Sequence, residues 1–229
     1  MITFEGVDVG YDGLTVLRGL ELTVRAGETT VLFGRNGSGK STLLKSVLGI
    51  EVERAGRIVF EDTDISTMPA NRIARRGIGY VPEDRRVYPL SVRDNLRLGY
   101  RGPRRALEER TEAVCSMVPL VRRLIDQRGD RISGGEQQAV SIARALMADP
   151  RLLLVDEASE GLAPVIVEAL ADVFLGLKRQ GATILMAEQN LQFARRVADR
   201  VLVMVSGVVT FDGTVAELDA QGLDRLMAL

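Results

Sequence analysis

The chain has 229 residues, of which 46% are hydrophobic, and a formal net charge of -1. This length allows one sizeable core but not two domains of ordinary size, so we expect a single domain over residues 1–229. The balanced charge gives no bias toward nucleic acid. One cysteine, Cys115, excludes an internal disulfide and suits a reducing cytosol, and the lack of histidine excludes every histidine-based mechanism. Every apolar run is far shorter than the about 18 residues that span a membrane, and the N-terminus lacks a signal pattern, so we expect neither a membrane span nor export.

The N-terminal part predicts strands, then a loop and a helix. Apolar residues at 2–9, 16–17 and 20–24, separated by glycines, predict a small antiparallel sheet. A β-branched and apolar run at 29–33 ends at Gly34, and helical spacing follows at 39–48. A strand, a glycine-rich loop and a helix in this order are the context that a phosphate-binding loop requires.

The rest of the chain predicts an α/β fold with an inserted helical part. Twelve arginines lie within 85–131, and helical stretches at 92–98 and 104–117 predict a helical subdomain over approximately 84–148. Helices and apolar strands then alternate, which builds a mostly parallel core sheet covered by helices. The predicted helices lie at 133–147, 165–179 and 191–197, and the predicted strands at 152–155, 183–187 and 200–205. A closing hairpin with 208–211 and short helices end the chain.

The string GRNGSGKS at 34–41 has the spacing of a phosphate loop. Its glycines let backbone N–H groups surround the β-phosphate, and the following helix adds its positive end. Lys40 is placed to reach the β- and γ-phosphates, and the Ser41 hydroxyl is placed to bind Mg²⁺. The predicted nucleotide-binding residues here are Gly34, Arg35, Asn36, Gly37, Ser38, Gly39, Lys40, Ser41 and Thr42.

Two acids, Asp156 and Glu157, follow the apolar run at 152–155. Both carboxylates are therefore expected at the carboxyl end of a buried strand, where ligand sites of α/β proteins lie. Asp156 is predicted to hold Mg²⁺ together with Ser41. Glu157 is predicted to orient or deprotonate the attacking water, because phosphoryl transfer depends on positioning and charge control.

The string ISGGEQQ at 132–138 ends 18 residues before Asp156 and resembles the signature of ATP-binding cassette (ABC) ATPases. Ser133 is suited to cap a helix, and the glycines after it allow close approach, so this helix start is a second predicted anion site. The resemblance implies a P-loop ABC-type fold in which the signature faces the γ-phosphate held by another subunit. The signature residues implied to contact nucleotide are Ser133, Gly134, Gly135 and Glu136.

Single positions extend the resemblance over nearly the whole chain. Tyr11 stands where cassettes stack an aromatic ring on adenine. Glu83 replaces a glutamine that usually contacts Mg²⁺ or the attacking water, and a carboxylate there adds repulsion toward phosphate. Gln189 replaces the usual switch histidine, and its neutral amide donates a hydrogen bond but does not titrate near neutral pH. The resemblance implies catalytic roles for Lys40, Glu83, Glu157 and Gln189, and Mg²⁺ contacts for Ser41, Glu83 and Asp156.

Longer strings narrow the resemblance to one group of cassettes. The chain is similar to the shorter cassette subunit of bacterial branched-chain (hydrophobic) amino-acid importers. Three strings carry this similarity together: VPEDRRVYPLSVRDNL, DEASEGLAPVIVE and AEQN. This implies an ATPase that uses ATP and Mg²⁺, lies in the cytoplasm and sits peripherally on the inner face of the cell membrane. The implied partners are a second cassette subunit, two integral membrane permease subunits and, indirectly, a periplasmic or extracellular solute-binding protein, with no nucleic acid.

Several alternatives stay open at this level. Urea and short-chain amide importers share much of the pattern, and the motifs do not encode the direction of transport. The partner cassette is either an identical chain or a paralogue. A DNA-repair type of cassette is disfavoured, because only 91 residues separate Ser41 from Ser133 and they carry no sustained heptads. A GTPase or a small-molecule kinase would account for the phosphate loop but not for the string ISGGEQQ.

Overall fold

The structure, a computed structural model, describes residues 1–223 and 226. Its strands are β1 (Ile2–Tyr11), β2 (Leu14–Val24), β3 (Thr29–Phe33), β4 (Glu53–Phe60), β5 (Thr63–Asp64), β6 (Ile78–Val81), β7 (Leu152–Asp156), β8 (Thr183–Glu188), β9 (Arg200–Val205) and β10 (Val208–Gly213). Its α-helices are α1 (Lys40–Leu48), α2 (Ala70–Arg75), α3 (Val92–Gly99), α4 (Leu107–Met117), α5 (Pro119–Arg122), α6 (Gly134–Leu146), α7 (Pro164–Arg179), α8 (Leu191–Val197) and α9 (Val215–Gln221).

A four-stranded antiparallel sheet with the order β2-β1-β4-β5 contains the N-terminus. The predicted antiparallel sheet is therefore confirmed, but the three predicted segments are two long strands. Bulges along the β1–β2 pair absorb the irregular spacing of the apolar residues, so the pairing continues from Ile2 and Val24 to Tyr11 and Leu14. Strand β4 was not predicted, because its fully buried apolar residues lie only in its second half.

A second sheet with the order β10-β9-β3-β8-β7-β6 forms the centre of the molecule. Its strands β9, β3, β8, β7 and β6 are parallel, and β10 is antiparallel to β9, so the predicted mostly parallel core sheet is confirmed. Phe33 pairs with Glu188, and Asp156 pairs with Ala187. The carboxyl ends of β3, β7 and β8 therefore meet at one edge of the sheet, which carries the phosphate loop and the predicted catalytic acids.

Each of the two faces of the parallel sheet packs into a different apolar cluster. Along β3, Leu32 packs with α1 and the antiparallel sheet, whereas Val31 and Phe33 pack with α6, α7 and α8. This alternation is that of a strand buried on both faces. Helix α1 thus lies between the two sheets, and its N-terminus is held rigidly at the carboxyl edge.

The helices α3, α4, α5 and α6 occupy the predicted helical segment. Their buried residues, such as Val92, Leu96 and Val140, join the cluster on the α6 face of the sheet. The helix expected at 104–117 begins at Leu107, after a 3₁₀ turn at Arg104–Ala106 that follows Pro103. That 84–148 forms a subdomain of its own stays a prediction.

The C-terminal hairpin and the first helix after it are confirmed as β10 and α9. Further short helices were also expected, but residues 224, 225 and 227–229 lie outside the described residues. Within the described part of the chain, none of the helices combines the length and the apolar character that crossing a bilayer requires.

Candidate active site

The phosphate loop takes a backbone shape that only glycine allows at three positions. Gly37 and Gly39 have φ of 79° and 103°, in the region that side chains disfavour. A Cβ on Gly34 would lie 2.5 Å from the Met204 carbonyl oxygen. Helix α1 begins at Lys40 without a side-chain cap, so its first N–H groups are available to an anion.

Lys40 and Glu157 form a buried ion pair inside this loop. The Lys40 Nζ lies 3.1 Å from Glu157 Oε1, and it donates hydrogen bonds to the carbonyls of Gly34 (3.0 Å) and Arg35 (3.2 Å). The two side chains are only 3% and 6% exposed. The sequence predicted both residues, and the structure brings them into direct contact at the end of the parallel sheet.

Ser41 and Asp156 are joined by the hydrogen bond that a shared cation site predicts. The Ser41 hydroxyl donates to Asp156 Oδ1 (2.8 Å), and the Tyr80 hydroxyl donates to Asp156 Oδ2 (3.2 Å). Burial raises the pKa of Asp156, although both hydrogen bonds favour its anion. Burial also raises the pKa of Tyr80, so its hydroxyl stays protonated and donates. No motif pointed to Tyr80, because its contact depends on the pairing of β6 with β7.

These groups fit Mg²⁺, which favours oxygen ligands and keeps several waters. The donor set consists of a hydroxyl and a carboxylate next to a loop that cradles phosphate. Among the described residues there is no cluster of three or more His, Cys, Asp or Glu side chains that could form a protein cage for a metal. A site with few protein ligands, completed by phosphate oxygens and water, agrees with that finding.

Glu157 itself is held in a strained backbone conformation. Its φ is 48°, and its N–H donates to the Ala187 carbonyl (3.0 Å), which fixes the chain as it leaves β7. Its Oε2 is buried and has no hydrogen-bond partner within the described residues. One carboxylate oxygen of the predicted general base is thus paired with Lys40, and the other is buried without a hydrogen-bond partner within the described residues.

Glu188, a residue that the sequence did not single out, holds the loop after Glu157. Its carboxylate accepts hydrogen bonds from Ser159 N (3.1 Å) and Ser159 Oγ (2.8 Å), and the side chain is 1% exposed. Burial raises the pKa of Glu188 to about 7, against these hydrogen bonds. The only signal in the sequence was an acid at the end of a wholly apolar strand.

Gln189 lies exposed beside a cleft of about 440 Å³. Glu157, Ser159 and Glu160 also line this cleft. Burial and the charges of Glu157 and Glu83 raise the pKa of Glu160. Gln189 therefore lies near the predicted general base, as the resemblance implied, but its role stays a prediction.

Tyr11 lies beside the start of α1, and Glu83 lies in the loop after β6. The Tyr11 hydroxyl is 3.2 Å from Thr42 Oγ1, so the ring borders the start of α1. Glu83 is exposed after β6, and its charge contributes to the raised pKa of Asp156. Both positions are compatible with the predicted contacts, which stay predictions.

The signature forms the start of α6, as predicted from Ser133. Ser133 N donates to Glu136 Oε2 (2.9 Å) and Glu136 N donates to Ser133 Oγ (3.4 Å), and these two bonds form a capping box. A Cβ on Gly135 would lie 2.8 Å from Ile166 Cγ2, so glycine lets α6 pack against α7. The Glu136 side chain thus helps to cap the N-terminus of α6, and its contact with nucleotide stays a prediction.

No hydrogen bond or ion pair within the described residues joins the signature to the phosphate loop. Ser133 is exposed, whereas Lys40 and Glu157 are buried in the same chain.

Comparison with known proteins agrees with this geometry. Residues 17–160 match the ABC transporter family. Over 220 residues the chain is 36% identical to the high-affinity branched-chain amino acid transport ATP-binding protein BraG of Pseudomonas aeruginosa, covering 95% of this chain and 94% of BraG. It is 33% identical to the probable branched-chain amino acid transport protein LivF of Archaeoglobus fulgidus (93% and 91% covered). It is also 35% identical to the lipopolysaccharide export system protein LptB of Escherichia coli (95% and 92% covered).

Solved structures show the same fold. The ADP conformation of MJ1267, an ATP-binding cassette of an ABC transporter, superposes with a TM-score of 0.84 at 26% identity, covering 98% of this chain and 94% of that one. An ATP-binding subunit of another ABC transporter gives 0.84 at 28% identity (100% and 98% covered).

The fold and the site define a P-loop ATPase of the cassette type, and the chain belongs to the ABC transporter family. It is an ATP-binding subunit of a transporter, whose ATP hydrolysis is coupled to transport.

Proposed function

We propose that this chain powers the uptake of branched-chain or other hydrophobic amino acids through membrane permeases. The observation that carries the proposal is its similarity, over nearly its whole length, to BraG and LivF, which are named for branched-chain amino acid transport. The similarity to LptB supports export of another solute as the second candidate. Labelled leucine uptake into proteoliposomes that contain the chain with its own permeases and binding protein tests this. Uptake that requires ATP supports the proposal, and ATP turnover that leucine leaves unchanged contradicts it.

The proposed chemistry begins with the Lys40–Glu157 ion pair. A γ-phosphate that enters the loop competes with Glu157 for the Lys40 ammonium, which lies between two loop carbonyls. Glu157 then becomes free to orient the attacking water and to take its proton. Ser41 and Asp156 would hold Mg²⁺, which neutralises phosphate charge when bound.

Complete active sites form, in this proposal, between two cassettes. The observation that supports it is that Ser133 is exposed, and therefore accessible to a second chain, whereas Lys40 and Glu157 are buried. Each chain then supplies a phosphate loop to one ATP and a signature to the other. The two cassettes open again after hydrolysis, because loss of the γ-phosphate removes the contact that favours the closed dimer.

The dimer is tested with Glu157→Gln, which keeps the shape of the side chain but cannot take a proton. With saturating Mg²⁺·ATP, light scattering is expected to show a dimer, because bound ATP is no longer consumed. A variant that stays monomeric under these conditions contradicts the two-cassette arrangement.

The membrane partners are proposed to dock at a cleft between α1, α2 and α3. Exposed apolar side chains, Tyr88, Leu90 and Leu98, line it together with Tyr80, which contacts Asp156. An amphipathic helix of a permease fits this lining. We propose that the chain thereby lies peripherally on the inner face of the membrane.

A further inference from the structure

Arg85 lies in the loop that follows Glu83, and its backbone conformation is forced. Arg85 and Arg86 have φ of 60° and 37°, so two consecutive non-glycine residues occupy the left-handed region. Such strain persists only where the surroundings impose it, and it is typical of functional segments.

Helix α6 imposes this conformation from one side. The Arg144 guanidinium donates to the carbonyls of Arg86 (2.6 Å) and Arg85 (3.4 Å). It also stacks on the Tyr88 ring, 5.4 Å from the ring centroid. The loop is therefore fastened to the same helix that begins with the signature.

The half-buried Arg85 side chain reaches the loop that follows Glu157. Its Nη2 donates to the Glu160 carbonyl (2.8 Å) and lies near Gly161, where a Cβ would be 3.9 Å away. Its Nη1 lies against Gly134, where a Cβ would approach to 2.8 Å. The first glycine of the signature thus makes room for this guanidinium.

We propose that Arg85 is a positioning residue that ties the Glu160–Gly161 loop to the first turn of α6, so that both move as one unit. The proposal rests on the proposed function, because the first turn of α6 then faces the ATP of the partner cassette, whereas Glu160 lies beside Glu157 in the site of its own chain. It assigns a task to one of the twelve arginines within 85–131. Arg86, by contrast, pairs with Asp84 and is exposed.

The first test measures ATP-driven dimerisation in the Glu157→Gln background by light scattering over a range of protein concentrations. Arg85→Gln is expected to weaken the dimer about tenfold, which corresponds to the loss of one hydrogen bond from a charged donor. Arg85→Lys keeps a cationic donor and is expected to recover most of that loss. Arg86→Gln is the matched control, with the same change one residue further along, and it is expected to leave the dimer unchanged. Equal weakening by both glutamine variants, or none by Arg85→Gln, overturns the proposal.

The second test uses hydrogen exchange in the monomer without nucleotide. Arg85→Gln is expected to raise exchange together in 158–163 and in the first turn of α6, with an unchanged melting temperature and unchanged binding of a fluorescent ATP analogue. Unchanged exchange overturns the proposal. A parent Glu157→Gln protein that never dimerises contradicts the two-cassette arrangement instead, and the exchange result still decides the role of Arg85.

Discussion

At the residue scale, buried acids determine how the protein responds to pH. Glu188 has its pKa raised by burial to about 7, from an ordinary value of 4.5. Between these two pH values the folded chain keeps a proton that the unfolded chain has lost. The stabilisation from this proton is therefore complete below about pH 4.5 and is lost as the pH rises toward 7.

The corresponding prediction concerns Glu188→Gln, which imitates the protonated acid and still pairs with Ser159. Relative to the variant, the parent is expected to lose about 3 kcal/mol of unfolding free energy between pH 4.5 and 7. Urea unfolding of the parent and the variant at several pH values measures this difference. Because both proteins share all other titratable groups, the comparison removes the contributions of those groups. Two parallel stability curves would show that Glu188 titrates normally.

Ser41 gives a prediction that separates metal from nucleotide. Ser41→Ala removes the hydroxyl that donates to Asp156 and that we expect to face Mg²⁺. The affinity for an ATP analogue is expected to fall about tenfold or more in Mg²⁺, in line with the loss of a metal ligand or its orienting contact. In EDTA the parent and the variant are expected to bind equally. A loss of the same size in EDTA would place Ser41 on the phosphate rather than on the metal.

At the element scale, helix α1 depends on an arginine from outside it. Arg54, at the start of β4, donates to the Ser46 and Val47 carbonyls at the end of α1 and to the Ile65 carbonyl (2.9 Å). It thus satisfies carbonyls that a helix end leaves unpaired. The position of α1, and with it that of the phosphate loop, is fixed at both ends.

Arg54→Ala is expected to cost about 2–3 kcal/mol of unfolding free energy, because several carbonyls lose a charged donor. Arg57→Ala is the control on the same strand. Its exposed pairs with Glu5 and Asp64 are expected to contribute little to stability, because water screens both charges. Chemical denaturation compares the two, and equal losses would argue against a capping role.

The helices and strands also show which structural features can be predicted from local sequence patterns and which cannot. Strand β7 and helix α6 lie close to their predicted limits, because a continuous apolar run and a serine cap are local signals. Strand β4 was not predicted, since its fully buried apolar residues lie only in its second half and the half-buried Arg54 caps α1 from its first half. Motifs pointed to Lys40 and Ser41 as site residues. The contacts of Tyr80, Arg85 and Glu188 were not predicted, because no motif assigned a role to these residues and their contacts depend on how the strands and loops pack.

At the scale of the whole molecule, the active edge collects the ends of three strands that are remote along the chain. Phe33, Asp156 and Glu188 end β3, β7 and β8, and both apolar clusters support these strands. A ligand at this edge contacts groups that come together only in the folded chain. Binding and global stability are therefore linked.

Mg²⁺·ATP at roughly 100 times its Kd is expected to raise the unfolding free energy by about 2.7 kcal/mol, provided that the unfolded chain does not bind it. The measurement uses Glu157→Gln, which prevents turnover, at a protein concentration at which it stays monomeric, so that only ATP binding contributes to the shift. Lys40→Met is expected to abolish the shift, since it removes the ammonium that the loop carbonyls hold in place. Lys45→Met is the matched control on the same helix, where Lys45 pairs with Glu51 at the surface (3.0 Å) and the shift should persist. A shift that survives Lys40→Met would mean that ATP stabilises the chain from a place other than the phosphate loop.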